Sequence, residues 1–131
     1  MTRGVSDTIT VMTAKVAAGA GNKILVEDFR HITASIDLAD SPNMTIKCVG
    51  SIANDAPDFE AAQSASNPYD FLQLIDLQDG NSIDGDTGIT VAGSADNRTV
   101  NVNTDGLKWI SFRITTRSAG NATVKVKGFD R

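Results

Sequence analysis

This sequence of 131 residues has few of the residues that build disulfides, metal sites or aromatic cores. It has one cysteine, Cys48, and one histidine, His31, and aromatic residues make up 5% of it. A single cysteine excludes an intramolecular disulfide framework, and one histidine is a poor start for a zinc site. We therefore expect no cofactor and no bound metal, and a core built from Ile, Val, Leu and Ala.

Long apolar runs and helix-period segments are also missing. The longest uncharged stretch near the N-terminus, residues 16–22, is too short and too rich in small residues for a membrane span or a signal peptide. We expect a protein made in a reducing compartment, with no membrane partner. Its length suits one domain over residues 1–131, with residues 1–22 as a candidate N-terminal arm.

What the sequence does contain is period-2 alternation, which is clearest near the C-terminus. Residues Leu107–Thr115 place Ile110, Phe112 and Ile114 on one side, and Thr123–Lys127 alternates in the same way. With the Gly-containing segment Arg117–Asn121 between them, the two runs predict an antiparallel hairpin with one buried face. That face also predicts the core.

Similar short runs recur along the whole chain, separated by Gly, Asn, Asp and Pro. The segment Asp40–Asn43 has the composition of a turn, and residues 53–69 form the longest irregular stretch. Eight or nine strands at this spacing predict an all-β, antiparallel β-sandwich; eight favour a jelly-roll-like arrangement, and seven would favour an immunoglobulin-like one. The remaining predicted strands are Thr8–Thr13, Ile24–Val26, Ile32–Ile36, Met44–Ile52, Phe71–Leu77, Ile89–Val91 and Thr99–Val102.

Charge is distributed unevenly along the chain. Residues 37–105 hold twelve acidic and two basic side chains, a net charge of −10, whereas residues 106–131 hold six basic and one acidic, a net charge of +5. The whole chain has a net charge of −4, which argues against nucleic acid as a partner, because phosphate contacts need a basic surface. Opposed patches suit protein–protein contact.

Few residues are candidates for chemistry. The segment Asp76–Asp86 is rich in Asp, Asn and Gln, but its spacing does not match an EF-hand loop, so a solvated turn region is favoured over a calcium site. We place His31 on the polar side of its strand and Cys48 in the core. No nucleophile motif such as G-x-S-x-G occurs, so we do not expect an enzyme.

The C-terminal strands instead offer a candidate protein-interaction surface. Trp109 either packs over the end of the fold beneath a loop or anchors an interface, where Trp is enriched. The basic residues beside it either protect a sheet edge from association or meet an acidic partner. The hypothetical interface residues are Trp109, Arg113, Arg117, Lys125 and Lys127.

Three segments resemble small structural proteins of tailed bacteriophages. They are Val26–Ile32, Phe71–Leu77 and the C-terminal pair Leu107–Ile110 with Ala122–Lys127. The resemblance implies a non-enzymatic β-rich virion component of the head-decoration or fibre-attachment type. It further implies localisation in the virion after synthesis in the host cytoplasm.

These observations lead to two functional hypotheses. The first is a virion structural protein, a capsid decoration or head/neck-associated protein that is present in many copies as a homo-oligomer. Its partners would be other virion proteins, namely the major capsid, a neck or a tail protein. The alternative is a carbohydrate- or receptor-binding β-sandwich module of a phage tail or fibre, for which one Trp and one Tyr offer few stacking surfaces.

Overall fold

A computed structural model describes residues 5–130, and within that range the chain forms ten β-strands and no helix. Two of the strands are 21 residues long, and the others have between two and eight. The strands are β1 (Ile9–Lys15), β2 (Gly19–Ala20), β3 (Ile24–Leu25), β4 (His31–Ser51), β5 (Asp70–Leu72), β6 (Leu74–Asp76), β7 (Ser82–Ile83), β8 (Ile89–Ala92), β9 (Asp96–Asn103) and β10 (Trp109–Phe129).

All of these strands join one antiparallel sheet. Its main order is β1-β10-β4-β9-β6-β7, with β2 and β3 also pairing with β10, and β5 and β8 with β4. The predicted all-β, antiparallel class is confirmed. Two separate packed sheets are not formed by the described residues, so the sandwich and jelly-roll details are not confirmed. Within the predicted N-terminal arm, β1 pairs with β10.

The central feature is a long ribbon made by β4 and β10, which pair along their whole lengths. The pairing runs from His31 opposite Phe129 to Ser51 opposite Trp109. The predicted C-terminal hairpin is therefore wrong: Leu107–Thr115 and Thr123–Lys127 do not pair with each other, because both follow β4. The turn predicted at Asp40–Asn43 likewise lies inside β4.

The two turn-like segments face each other across the ribbon and form a corner. Asp40 and Ser41 have φ angles of 63° and 51°, and Gly120 has a φ of 85°. Around them the register shifts three times between Ile114 and Asn121. Bulges of this kind bend a strand and increase its twist. The residues that looked like chain reversals instead bend both strands at the same level.

On either side of this corner the ribbon has two halves. We call residues 44–51 with 109–117 the closed half, and residues 31–38 with 122–129 the open half. Alternate side chains of both halves point into a single hydrophobic cluster. The predicted core is confirmed, because these side chains are at most 2% exposed: Cys48, Ile110, Phe112, Ile114, Val124 and Val126.

The opposite, outward faces of the two halves differ. In the closed half, Val49 and Trp109 are covered by Phe59 and Tyr69 from the irregular segment 53–69, and together they form a second small cluster. In the open half, the outward side chains of β4 and β10 remain exposed or half-buried, and all of them are polar except Phe129. We call this outward surface of the open half, continued across β9 to β6, the open face.

Gly120→Ala should destabilise the fold by about 3 kcal/mol or more. The left-handed conformation alone costs a non-glycine residue roughly 1–2 kcal/mol. A Cβ at this position would also lie 2.4 Å from Pro42 Cα and 2.7 Å from the Ala39 carbonyl oxygen, and both of these are backbone atoms. Urea denaturation measures the change in the free energy of unfolding.

Gly106→Ala is the matched control, because Gly106 has a φ of 89° but a Cβ there meets nothing within 4 Å. We expect it to show the conformational part alone, about 1–2 kcal/mol. Equal losses for the two variants would contradict the importance of the close approach at the corner.

Candidate protein-interaction surface

The five hypothetical interface residues all lie on β10, but the structure does not bring them together. Trp109 and Arg113 belong to the closed half, beneath the segment 53–69. Arg117 lies at the corner. Lys125 and Lys127 alone extend from the open face, where both are exposed.

Trp109 is held by contacts within the molecule. Its indole is half-buried against the second cluster, and its Nε1 donates a hydrogen bond of 3.4 Å to the carbonyl oxygen of Asn54. Lys108 Nζ lies 5.8 Å from the indole ring centroid, which is within cation–π range. Of the two readings of Trp109, this geometry matches packing beneath a loop. An additional role as an interface anchor stays a prediction.

Arg113 connects β10 to the covering segment. Its Nη1 donates to the hydroxyl of Tyr69 at 2.9 Å, and that hydroxyl donates to the carbonyl oxygen of Ala61 at 2.7 Å. Arg113 Nε is buried and has no hydrogen-bond partner among the described residues. Since an unpaired buried donor is unfavourable, the bond to Tyr69 is important for keeping this guanidinium in place.

Arg117 has a local structural contact at the corner. Its Nε donates to the carbonyl oxygen of Gly120 at 2.8 Å, three residues further along β10. The bond gives a partner to a carbonyl group at a point where the register of the ribbon shifts. Arg117 therefore has a structural role that does not depend on a partner molecule.

Lys125 and Lys127 flank a groove of about 430 Å³ on the open face. Lys127 is opposite Thr33 of β4, and Lys125 is opposite Ser35, which in turn is opposite Thr99 of β9. Phe129 contributes an aromatic wall. Sequence reasoning found the lysines but missed Thr33, Ser35 and Thr99, although their odd-numbered positions within alternating runs were a usable signal.

The acidic segment Asp76–Asp86 is organised by its own backbone. Asp76 is buried and forms an ion pair of 3.2 Å with Arg98, which also contacts Asp96 at 2.9 Å. Asp79 Oδ1 accepts from the N–H of Asn81, as Asp84 Oδ1 does from a neighbouring N–H. These bonds are typical of Asx turns. Residues 5–130 contain no group of three or more His, Cys, Asp or Glu side chains suited to a metal ion.

His31 and Cys48 both make packing contacts. His31 is half-buried, and its ring lies edge-on to Phe129, with the ring centroids 4.1 Å apart. Cys48 is in the core, where burial raises the pKa of its thiol far above the ordinary range. Cys48 therefore packs as a small apolar side chain.

No helix within residues 5–130 has the length and apolar character needed to span a membrane.

Tyr69→Phe should destabilise the protein by about 1–3 kcal/mol, because it removes the acceptor for a largely buried guanidinium. Arg113→Met combined with Tyr69→Phe should cost less than the sum of the two single changes, because the guanidinium that loss of the hydroxyl leaves without its acceptor is then absent; only the Ala61 carbonyl still loses its donor. Thermal and urea unfolding of the four proteins in this cycle give the coupling. Additive losses would show that the Arg113–Tyr69 bond is unimportant.

Calcium at about 1 mM should leave the melting temperature of the protein unchanged within about 1 °C. A site with a dissociation constant near 10 μM would add about 2.7 kcal/mol, which corresponds to a rise on the order of 10 °C. Asp84→Asn is the matched variant, because it keeps an oxygen for the Asx turn. A large rise in the wild type that disappears in this variant would reveal a calcium site in the acidic segment.

Comparison with known proteins gives one fold-level result. No family model matches the chain, and no curated protein matches it. The fold is similar to that in the crystal structure of the SPBc2 prophage-derived protein YomS, with a TM-score of 0.69. The match covers 95% of this chain and 93% of that chain, at 15% sequence identity. The similarity establishes a common fold over almost the whole of both chains.

Proposed function

We propose that this protein is a non-enzymatic structural component of a tailed-bacteriophage particle, a capsid decoration or head/neck-associated protein present in many copies. The observation that carries the proposal is the fold match to a prophage-derived protein across 95% of the chain. The three segments that resemble phage structural proteins support the same assignment. Its partners are the major capsid protein, a neck protein or a tail protein.

The distribution of surface features supports a role in assembly. The closed half is covered by the chain's own segment 53–69, whereas the open face carries a lysine-flanked groove with nothing packed over it within the described residues. A surface left free on one half of the core is suited to contact with another protein. The affinity of such contacts comes mainly from apolar groups, while charge sets the register.

The carbohydrate-binding alternative is not favoured by the positions of the aromatic residues. Tyr69 is 8% exposed, and its hydroxyl is already paired with Ala61 and Arg113. Trp109 is half-buried against the second cluster. The two aromatic side chains that could stack against a sugar are therefore engaged within the molecule.

Purified particles of the encoding phage should contain this chain. Density-gradient purification followed by quantitative mass spectrometry should detect many copies per particle, in a fixed ratio to the major capsid protein. A difference map between wild-type particles and particles lacking the gene would then separate a capsid position from a neck position. The proposal fails if the chain is abundant in infected cells but absent from purified particles.

A further inference from the structure

The groove on the open face has a chemistry that selects its occupant. Lys125 and Lys127 line the groove, and neither forms an ion pair with any residue of the described range 5–130. Thr33, Thr99 and Phe129 form uncharged walls of the groove. The alkyl parts of the two lysine side chains add apolar surface. Such a groove suits an aliphatic side chain followed closely by a carboxylate.

The chain itself displays such a segment on the same open face. Leu77 follows β6 and is 48% exposed, and its N–H donates to the carbonyl oxygen of Thr99, one of the residues lining the groove. Gln78 and Asp79 come next, and both are exposed. Asp79 uses Oδ1 for the Asn81 N–H. Its Oδ2 makes no hydrogen bond to the described part of the chain. We call Leu77–Asp79 the acidic tip.

Within one copy, the groove lysines and the acidic tip are held apart. Strands β4 and β9 lie between β10 and β6 in the sheet order. At about 4.8 Å per strand this separation is roughly 14 Å, well beyond the contact distance of an ion pair. A second copy related by two-fold symmetry would place its acidic tip over the first copy's lysines and its own lysines over the first copy's acidic tip. A surface that carries both partners is self-complementary, as a two-fold interface requires.

We propose that the open face is a homodimer interface, in which the acidic tip of each copy docks in the Lys125–Lys127 groove of the other. The dimer itself is argued from the open face alone. Only its location in a phage particle rests on the proposed function. The open half of β10 and of β4 together with β9, eight residues each, and the three residues of β6 cover roughly 440 Å² at about 4.8 Å per strand and 3.4 Å per residue. The total area buried would be about 900 Å², which is in the range of weak, reversible interfaces. Asp37, which pairs with Thr123 on the same face, makes no ion pair within residues 5–130 and adds a further carboxylate.

Sedimentation velocity of the full chain over a range of concentrations tests the dimer. We expect reversible dimerisation that is stronger at about 20 mM than at about 300 mM salt, since the Debye length falls roughly fourfold between them. Lys125→Glu with Lys127→Glu should weaken it on the order of tenfold or more, because attraction becomes repulsion. Lys23→Glu with Lys108→Glu, an equal charge change beside the β3–β10 pairing at the end of the closed half, should alter it by less than about twofold.

Charge exchange between the two partners makes the test specific. Gln78→Lys with Asp79→Asn makes the acidic tip basic, while the asparagine still offers an oxygen to the Asn81 N–H. This variant alone should also dimerise weakly. Combining all four changes in one chain should restore dimerisation to within about threefold of wild type, because each copy again carries opposite charges at the two sites. Circular dichroism and melting temperature establish that each variant is folded.

Two outcomes would overturn the proposal. One is a wild-type chain that stays monomeric up to about 1 mM; loss of particle incorporation by the Lys125/Lys127 variant would then assign the groove to the shell protein. The other is a dimer whose affinity is unaffected by the two lysine substitutions, or is not restored in the chain that carries all four substitutions. Because purified protein is used, a negative result does not bear on whether the chain is present in particles, which mass spectrometry decides separately.

Discussion

The close approach of Gly120 to Pro42 and Ala39 is the constraint on which the architecture depends. Two paired strands of 21 residues would extend for about 70 Å if straight, too far to enclose one core. The corner bends both strands at the same level, because Asp40 and Ser41 adopt positive φ angles directly across from Gly120. The two halves can then direct their alternate side chains into one cluster, with 0% exposure at positions as distant as Ile36 and Ile46.

In the bent ribbon, the outward face of one half is covered by another segment of the chain and that of the other half is not. On the closed half, the segment 53–69 supplies Phe59 and Tyr69, and the Arg113–Tyr69 bond connects that segment to β10. No comparable segment of the described chain covers the open half. Basic side chains that look equivalent along β10 therefore differ in role: Arg113 and Arg117 make internal hydrogen bonds, and Lys125 and Lys127 face outward.

The sequence was sufficient to predict the buried side of the two C-terminal runs, but not the path of the chain. Alternation is a local property, so Ile110, Phe112 and Val124 could be placed in the core from their neighbours alone. Whether Arg117–Asn121 reverses the chain or bends it depends on Pro42, nearly eighty residues away along the chain, and no local signal carries that information. The surface prediction failed to separate Arg113 from Lys125 for the same reason, since only the tertiary position of Tyr69 distinguishes them.

A weak interface on the open face is compatible with a role in a particle. The paired charges are exposed, so each pair contributes less than about 1 kcal/mol in solution. If the chain is a particle component, as proposed, copies bound to the shell would meet at an effective concentration in the millimolar range. Dimer contacts that form only partly in dilute solution would then be formed in most copies. They would still weaken as the salt concentration rises. Because the groove and the acidic tip cannot meet within one chain, both stay available to a second copy, and the proposed two-fold contact would join neighbouring copies in pairs.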